Sequence, residues 1–307
     1  MTGTRPVADS TDAYYDLGRY HRAASTSSAD AQLWFDRGLI WAYSFNHEEA
    51  IACFERAIEF DDSFAMAHWG VAYAMGPNYN KAWEMFDGEE LEASVEVTHR
   101  EIAKARSLAD SATDSERALI DALSMRYGAT TSAELSPASD LDYADAMGKV
   151  YALYPDDLDV ATLYGESLMN LTPWQLWDQR TGEPAEGSRA LEIRDVFDRA
   201  LELPAGREHP GLLHFYIHLM EMSFTPEAAL TIADHLRKLV PDAGHMLHMP
   251  SHLDILVGDY RRAIDANTDA IRADEKFLRR EGAMNFYTLY RSHNYHFRIY
   301  AAMFSGQ

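Results

Sequence analysis

The chain has 307 residues, a formal net charge of −22 and one cysteine. So acidic a surface repels nucleic acid and anionic membranes, and no Lys/Arg cluster offers an exception, so neither is expected as a partner. The lone Cys53 excludes an internal disulfide and suits a reducing compartment. Met1–Ser10 lacks the apolar core of a signal peptide, and no apolar run approaches about 18 residues, so a soluble cytoplasmic protein is expected.

Glycine (17) and proline (11) are sparse and fall between helical patterns. Alternating β-branched runs are almost absent, so the chain reads as all-α. Residues 1–30 are expected to form an N-terminal segment with a short helix, and residues 31–307 the main body. Ala31–Phe64 carries Trp34, Gly38, Trp41, Ala50, Phe54 and Ala57 at positions 4, 8, 11, 20, 24 and 27 of a 34-residue unit. Small residues at 8 and 20 let two helices approach; large ones at 4, 11 and 24 fill the space between neighbours. Cys53, in the apolar run Ala50–Ala57, reads as a buried structural thiol. Asn46-His47-Glu48-Glu49 reads as a helix cap with acids in the first turn.

A second unit begins near Ala65, with His68 at a packing position, and breaks at Gly76-Pro77-Asn78. Asn78 to Gly128 is helical but irregular, with an acidic turn at Asp87–Glu90. Another unit starts near Leu158, after Tyr154-Pro155-Asp156, with Gly165 at position 8. Units from Pro210 and Gly244 are 34 residues apart and in register, and a last helix runs from about Ser292 to Phe304. Insertions near 173–188 and 278–291 interrupt the pattern; such loops map to a solenoid's surface and are candidates for a lid. The chain stops at Ser305-Gly306-Gln307 without a second helix for its last unit. That points either to truncation or to a partner copy, as in a homo-oligomer, capping the end.

The Ala31–Phe64 unit resembles the tetratricopeptide repeat. The resemblance implies a right-handed α-solenoid of helix–turn–helix repeats whose first helices line a concave groove at positions 2, 5, 9, 12 and 13. The strings Phe45-Asn46-His47-Glu48-Glu49-Ala50, Gly76-Pro77-Asn78-Tyr79-Asn80, His209-Pro210-Gly211-Leu212-Leu213-His214, and Gly244-His245 through Met249-Pro250-Ser251-His252 resemble a histidine-rich bacterial and fungal subgroup of such proteins. The subgroup resemblance implies a fold and no reaction; its members tend to be longer than this chain.

Seven of the thirteen histidines fall on those groove positions. His214 and His218 are spaced i, i+4; His245, His248 and His252 are spaced i, i+3, i+7; His293 and His296 are spaced i, i+3. At about 100° per residue each set spans about 60° at most, so each points one way. Pro250 should kink the middle helix and re-aim His252. Protonated imidazoles so gathered would repel one another, whereas a bound cation uses their lone pairs. The seven are therefore candidate metal ligands, for one ion or two. Glu166 and Tyr300, at position 9 of their units, are the candidate catalytic residues, with Glu221 the next carboxylate. His47, His68 and His209 read as structural, and His21, His99 and His235 as solvated.

An imidazole-rich, carboxylate-poor set disfavours calcium and magnesium. It suits copper, iron with an added carboxylate, or zinc. No Walker loop, dinucleotide fingerprint, Gly-x-Ser-x-Gly or His-Glu-x-x-His competes. Tyr287, Tyr290, Tyr295, Tyr300, Trp69, Trp174 and Trp177 offer aromatic walls for a small organic substrate. Copper or iron oxidising that substrate with dioxygen is the leading expectation. A zinc hydrolase with a spare histidine or Glu166 as proton shuttle, and a non-catalytic protein-interaction scaffold, are the alternatives.

Overall fold

The computed structural model describes residues 14–127 and 137–307. Among them every regular element is a helix, and the helices pair in chain order. α1 (Ala29–Tyr43) packs on α2 (His47–Phe60), α3 (Ala65–Met75) on α4 (Gly88–Leu108), and α5 (Asp114–Arg126) on α6 (Pro137–Leu153). α7 (Leu158–Met169) packs on α8 (Ala190–Glu202), and α9 (Pro210–Glu221) on α10 (Leu230–Leu236). α11 (Gly244–His248) and α12 (Pro250–Leu256) share α13 (Tyr260–Glu281), which also supports α14 (Thr288–Phe304). This is an all-α helical repeat solenoid.

Polar caps set the helix starts. Ser28 accepts from the Ala31 amide at 3.1 Å, Asp87 from Glu90 at 2.9 Å and Asp157 from Val160 at 3.0 Å. Each satisfies a donor that the helix cannot, worth about 1 kcal/mol. The acidic turn expected at Asp87–Glu90 is thus the N-terminus of α4, with Asp87 outside the helix and Glu89 and Glu90 in its first turn. The anticipated close approach of α1 and α2 is also present. A Cβ on Gly38 would stand 2.5 Å from the Phe54 ring, so glycine alone lets that ring fill the gap.

The solenoid winds tightly enough that its first unit touches its fifth. A Cβ on Gly211 of α9 would meet the Tyr43 ring of α1 at 2.7 Å, and every residue from Pro210 to Met220 is buried. A helix buried all round belongs to a core, not to an open groove wall. The segment 14–28 straps the N-terminal ends of α2, α5 and α7. Arg22 reaches Asp157 (2.8 Å) and Asp159 (2.9 Å), Tyr14 donates to Glu49 (2.7 Å), and the Ser25 amide donates to Glu116 (2.8 Å).

Several boundaries differ from expectation. Residues 14–28 hold a turn and bends but no helix, so the short helix expected within 1–30 is not found there; residues 1–13 lie outside the described ones. The insertion expected at 278–291 shrinks to residues 282–287, because α13 runs on to Glu281 and α14 starts at Thr288. Gly282, at φ 76°, ends α13 in a conformation that glycine adopts at no steric cost. The stretch 173–188 is a loop, closed by a bridge between Trp177 and Pro184.

Candidate metal centre

Two helices and one broken helix carry the histidines inward. α9 presents His214 and His218; α11 presents His245 and His248; α12 presents His252; α14 presents His293. Pro250 has no N–H to bond back to Met246, and the helix is interrupted at Met249 as the sequence implied. The break divides the stripe. His214, His218 and His245 form one group of three, and His248, His252 and His293 a second, each with ligand atoms within 4.8 Å of one another. The groups adjoin: the His218 and His252 ring centres are 6.0 Å apart, and those of His245 and His248 5.9 Å.

Acceptors around the rings fix four tautomers. His214 Nδ1 donates to the Tyr43 carbonyl at 2.6 Å. His218 Nδ1 donates to Glu221 Oε1 at 2.6 Å, and His252 Nδ1 donates to Glu221 Oε2. His248 Nδ1 donates to Asn267 Oδ1 at 2.7 Å; the Asn267 amide is oriented by its own bond to the Ala263 carbonyl at 2.8 Å. With Nδ1 protonated, the neutral ring keeps a lone pair on Nε2. His248 Nε2 and His252 Nε2 nevertheless face each other at 2.8 Å, lone pair against lone pair. His214 Nε2 and His245 Nε2 stand 3.0 Å apart, and buried His218 Nε2 has no hydrogen-bond partner. Between His248 and His252 only a cation, proton or metal, makes such apposition favourable; His245, whose Nδ1 has no partner, can instead donate Nε2–H to His214 as a neutral ring. Two metal–nitrogen bonds of about 2.0–2.1 Å at a tetrahedral angle hold the nitrogens about 3.3 Å apart, a separation these rings reach by small shifts.

Burial favours the neutral ring at His214, His218, His245, His248 and His293. Burial lowers the His214 pKa, with His218 adding to the effect. Burial likewise lowers His245, helped by His214 and His248, and lowers His248, helped by His252 and His293. His293 is brought to about 4, by burial first and then by His252. Burial alone would raise Glu221; the His252 and His218 imidazoles more than offset it and hold the carboxyl well below the usual range. An ionised Glu221 whose side chain is 7% exposed, with both oxygens committed to Nδ1–H groups, orients the His218 and His252 rings and has no oxygen left free.

Aromatic rings pack against both groups. Phe45, in the α1–α2 turn at φ 57°, lies 4.7 Å from His214, 5.6 Å from His245 and 5.7 Å from His218. Tyr79 and Trp174 flank His218, Tyr290 meets His245, and Phe297 covers His248, His252 and His293.

The sequence-derived candidates divide accordingly. Six of the seven histidines stand in the two groups, and His296 does not. The inward face of α14 carries His293, Asn294, Phe297 and Ala301; His296 lies about 60° to the other side of His293 and is exposed. Tyr300 is 41% exposed and packs on Phe304, so it does not face the histidines. Glu166 is buried but bonds Asn170 (2.5 Å) and stands outside both groups. Glu221, the second choice among carboxylates, bridges them. Of the proposed aromatic walls, Trp174 and Tyr290 touch histidine rings, Tyr287 accepts from the His245 amide at 3.0 Å, and Tyr295 is exposed. Phe45, Tyr79, Phe297 and Asn267 went unmarked; only the spacing of Phe297, four residues after His293, signalled an inward position.

Residues 31–64 match the tetratricopeptide repeat. No curated protein matches the chain. The matched segment is the first unit, α1 and α2, whose connecting turn delivers Phe45 to the histidines. His47, the first residue of α2, donates to the Ala74 carbonyl at 2.8 Å, so it ties two units together. His209 caps α9, accepting from the Leu212 amide at 3.1 Å and bonding Asp159 with its other nitrogen. His68 pairs with Glu101 at 2.7 Å.

Proposed function

We propose that the two histidine groups hold one transition-metal ion each, copper before iron, and that the chain uses the pair to oxidise a small organic molecule with dioxygen. The observation that carries the reading is the 2.8 Å apposition of His248 Nε2 and His252 Nε2 while both Nδ1 atoms donate elsewhere. His214, His218 and His245 would hold one ion, and His248, His252 and His293 the other. Bound there, copper supplies dioxygen binding and one-electron chemistry. The chain's own residues orient and exclude. Glu221, Asn267 and the Tyr43 carbonyl keep lone pairs directed inward, and Phe45 and Phe297 keep water from the rings. Copper is favoured because the donors are all imidazole. The open-site iron enzymes take a carboxylate ligand, and Glu221 is occupied.

The test is metal analysis of untagged protein, followed by oxygen-uptake measurement. About two equivalents of copper per chain are expected. Less than about 0.2 equivalents of any transition metal, with no gain on reconstitution, would remove the reading and leave a protein-interaction scaffold. Tight zinc without oxygen uptake would instead favour hydrolysis.

A further inference from the structure

Away from the histidines, the inner faces of α5, α6 and α7 enclose a second set of polar groups. Arg126 ends α5 and is 0% exposed. Its Nε donates to Asp140 Oδ1 at 2.7 Å, and the Tyr143 ring lies 5.1 Å from the guanidinium carbon. Both terminal nitrogens, Nη1 and Nη2, are buried with no hydrogen-bond acceptor among the described residues. Near them, buried and without partners, are the Tyr143 hydroxyl, Glu166 Oε2 and Asn170 Oδ1.

An unmatched guanidinium edge costs several kcal/mol in a dry interior, and each unmatched neutral group about 1–3 kcal/mol. Arg126 and Glu166 feel each other's charge, yet no hydrogen bond joins them. Arg126 and Glu166 each keep an open edge that a ligand touching both would satisfy. A carboxylate matches the guanidinium fork with two parallel bonds. The Tyr143 hydroxyl would donate to the same oxygens. Glu166 Oε2 would accept from a hydroxyl or amine beside the carboxylate.

We propose that Arg126, Tyr143 and Glu166 form a binding site for a small organic acid bearing a hydroxyl or amino group next to its carboxylate. As a binding site it stands without any metal; as the anchor of the molecule oxidised, it rests on the reading above. The route between the two sites is short in sequence and in space. Glu166 and Asn170 occupy the inward face of α7, which packs on the helix that carries His214 and His218. Thr172, whose buried hydroxyl is also unpartnered, follows Asn170, and Trp174 then lies edge-on to His218 at 5.6 Å.

Calorimetric titration of the full chain with mandelate tests the inference, with mandelamide as its neutral isostere and glycolate and benzoate as partial probes. Mandelate should bind at least about tenfold more tightly than mandelamide. Arg126→Lys keeps the charge beside Asp140 but loses the fork, and should weaken mandelate at least about tenfold. Tyr143→Phe removes one donor and should weaken it several-fold. Both variants should retain the metal content of the parent. Failure of all three acids to bind, equal affinity for mandelate and mandelamide, or unchanged affinity in Arg126→Lys each overturns the proposal. If Arg126→Lys does not fold, Tyr143→Phe and the mandelamide comparison decide alone. Titrating metal-loaded and chelator-treated protein in parallel separates the two readings. Acid binding by protein that takes up no transition metal overturns only the oxidase assignment, and metal uptake without acid binding overturns only this site.

Discussion

Glu221→Gln isolates the role assigned to the bridging carboxylate. Glu221 accepts the Nδ1 protons of His218, at 2.6 Å, and of His252, one ring from each histidine group. Glutamine keeps the shape but offers one acceptor oxygen and one NH2. It can satisfy one imidazole; the other then faces a donor with a donor, leaving a buried N–H unmatched at about 1–3 kcal/mol. The ring escapes by moving its proton to Nε2, which removes the lone pair a metal needs. Loss of such a partner costs about 10–100-fold in metal affinity, about 1.4–2.8 kcal/mol. Competition against a chromophoric chelator, with metal counted by mass spectrometry, should show that loss for at least one ion. Affinities within about threefold of the parent for both ions would refute the argument.

Four further outcomes follow from the same geometry. His248→Ala should remove the ion of the second group and leave metal in the first; an unchanged total by mass spectrometry refutes the division. Burial raises the Glu166 carboxyl from 4.5 to about 7, so the folded chain holds that proton more tightly than the unfolded one. The stability it contributes is present below the unfolded value and lost as pH rises through about 7. Glu166→Gln should therefore be more stable than the parent at pH 8 by up to about 3 kcal/mol in urea titrations, with the gap closing towards pH 4.5. The metal-free protein should lose stability as pH falls from 6.5 towards 4. Burial lowers His47 to about 4 and also lowers His214, His218, His245, His248 and His293, so the unfolded chain binds more protons in that window. Those six histidines outweigh the opposite contributions of Glu166 and Asp274; urea midpoints that do not fall between pH 7 and 5 refute it. Gly211→Ala puts a Cβ 2.7 Å from the Tyr43 ring and should cost about 1–3 kcal/mol by thermal unfolding.

Much of this molecule is local and therefore legible in one dimension. Helix periodicity, the 34-residue spacing and the small–large alternation of Gly38 and Phe54 depend on residues close in sequence, and they gave the repeat solenoid. The stripes His214/His218 and His245/His248/His252 follow from the helix pitch alone, and Pro250 announced the break at Met249. What tertiary structure alone decided is which stripe meets which. His296 shares the spacing of His293 but not its face, because packing against α13 sets the rotation of α14. Glu221 bonds a histidine 31 residues away on another helix. Phe45 reaches histidines of a distant unit because the solenoid curls back at Gly211 and Tyr43. The open edge of Arg126 depends on what does not pack against it. Pitch is a property of the backbone, whereas rotation and curvature come from many weak contacts summed across the fold. The stripes could therefore be read from the chain, and their division into two groups joined by Glu221 could not.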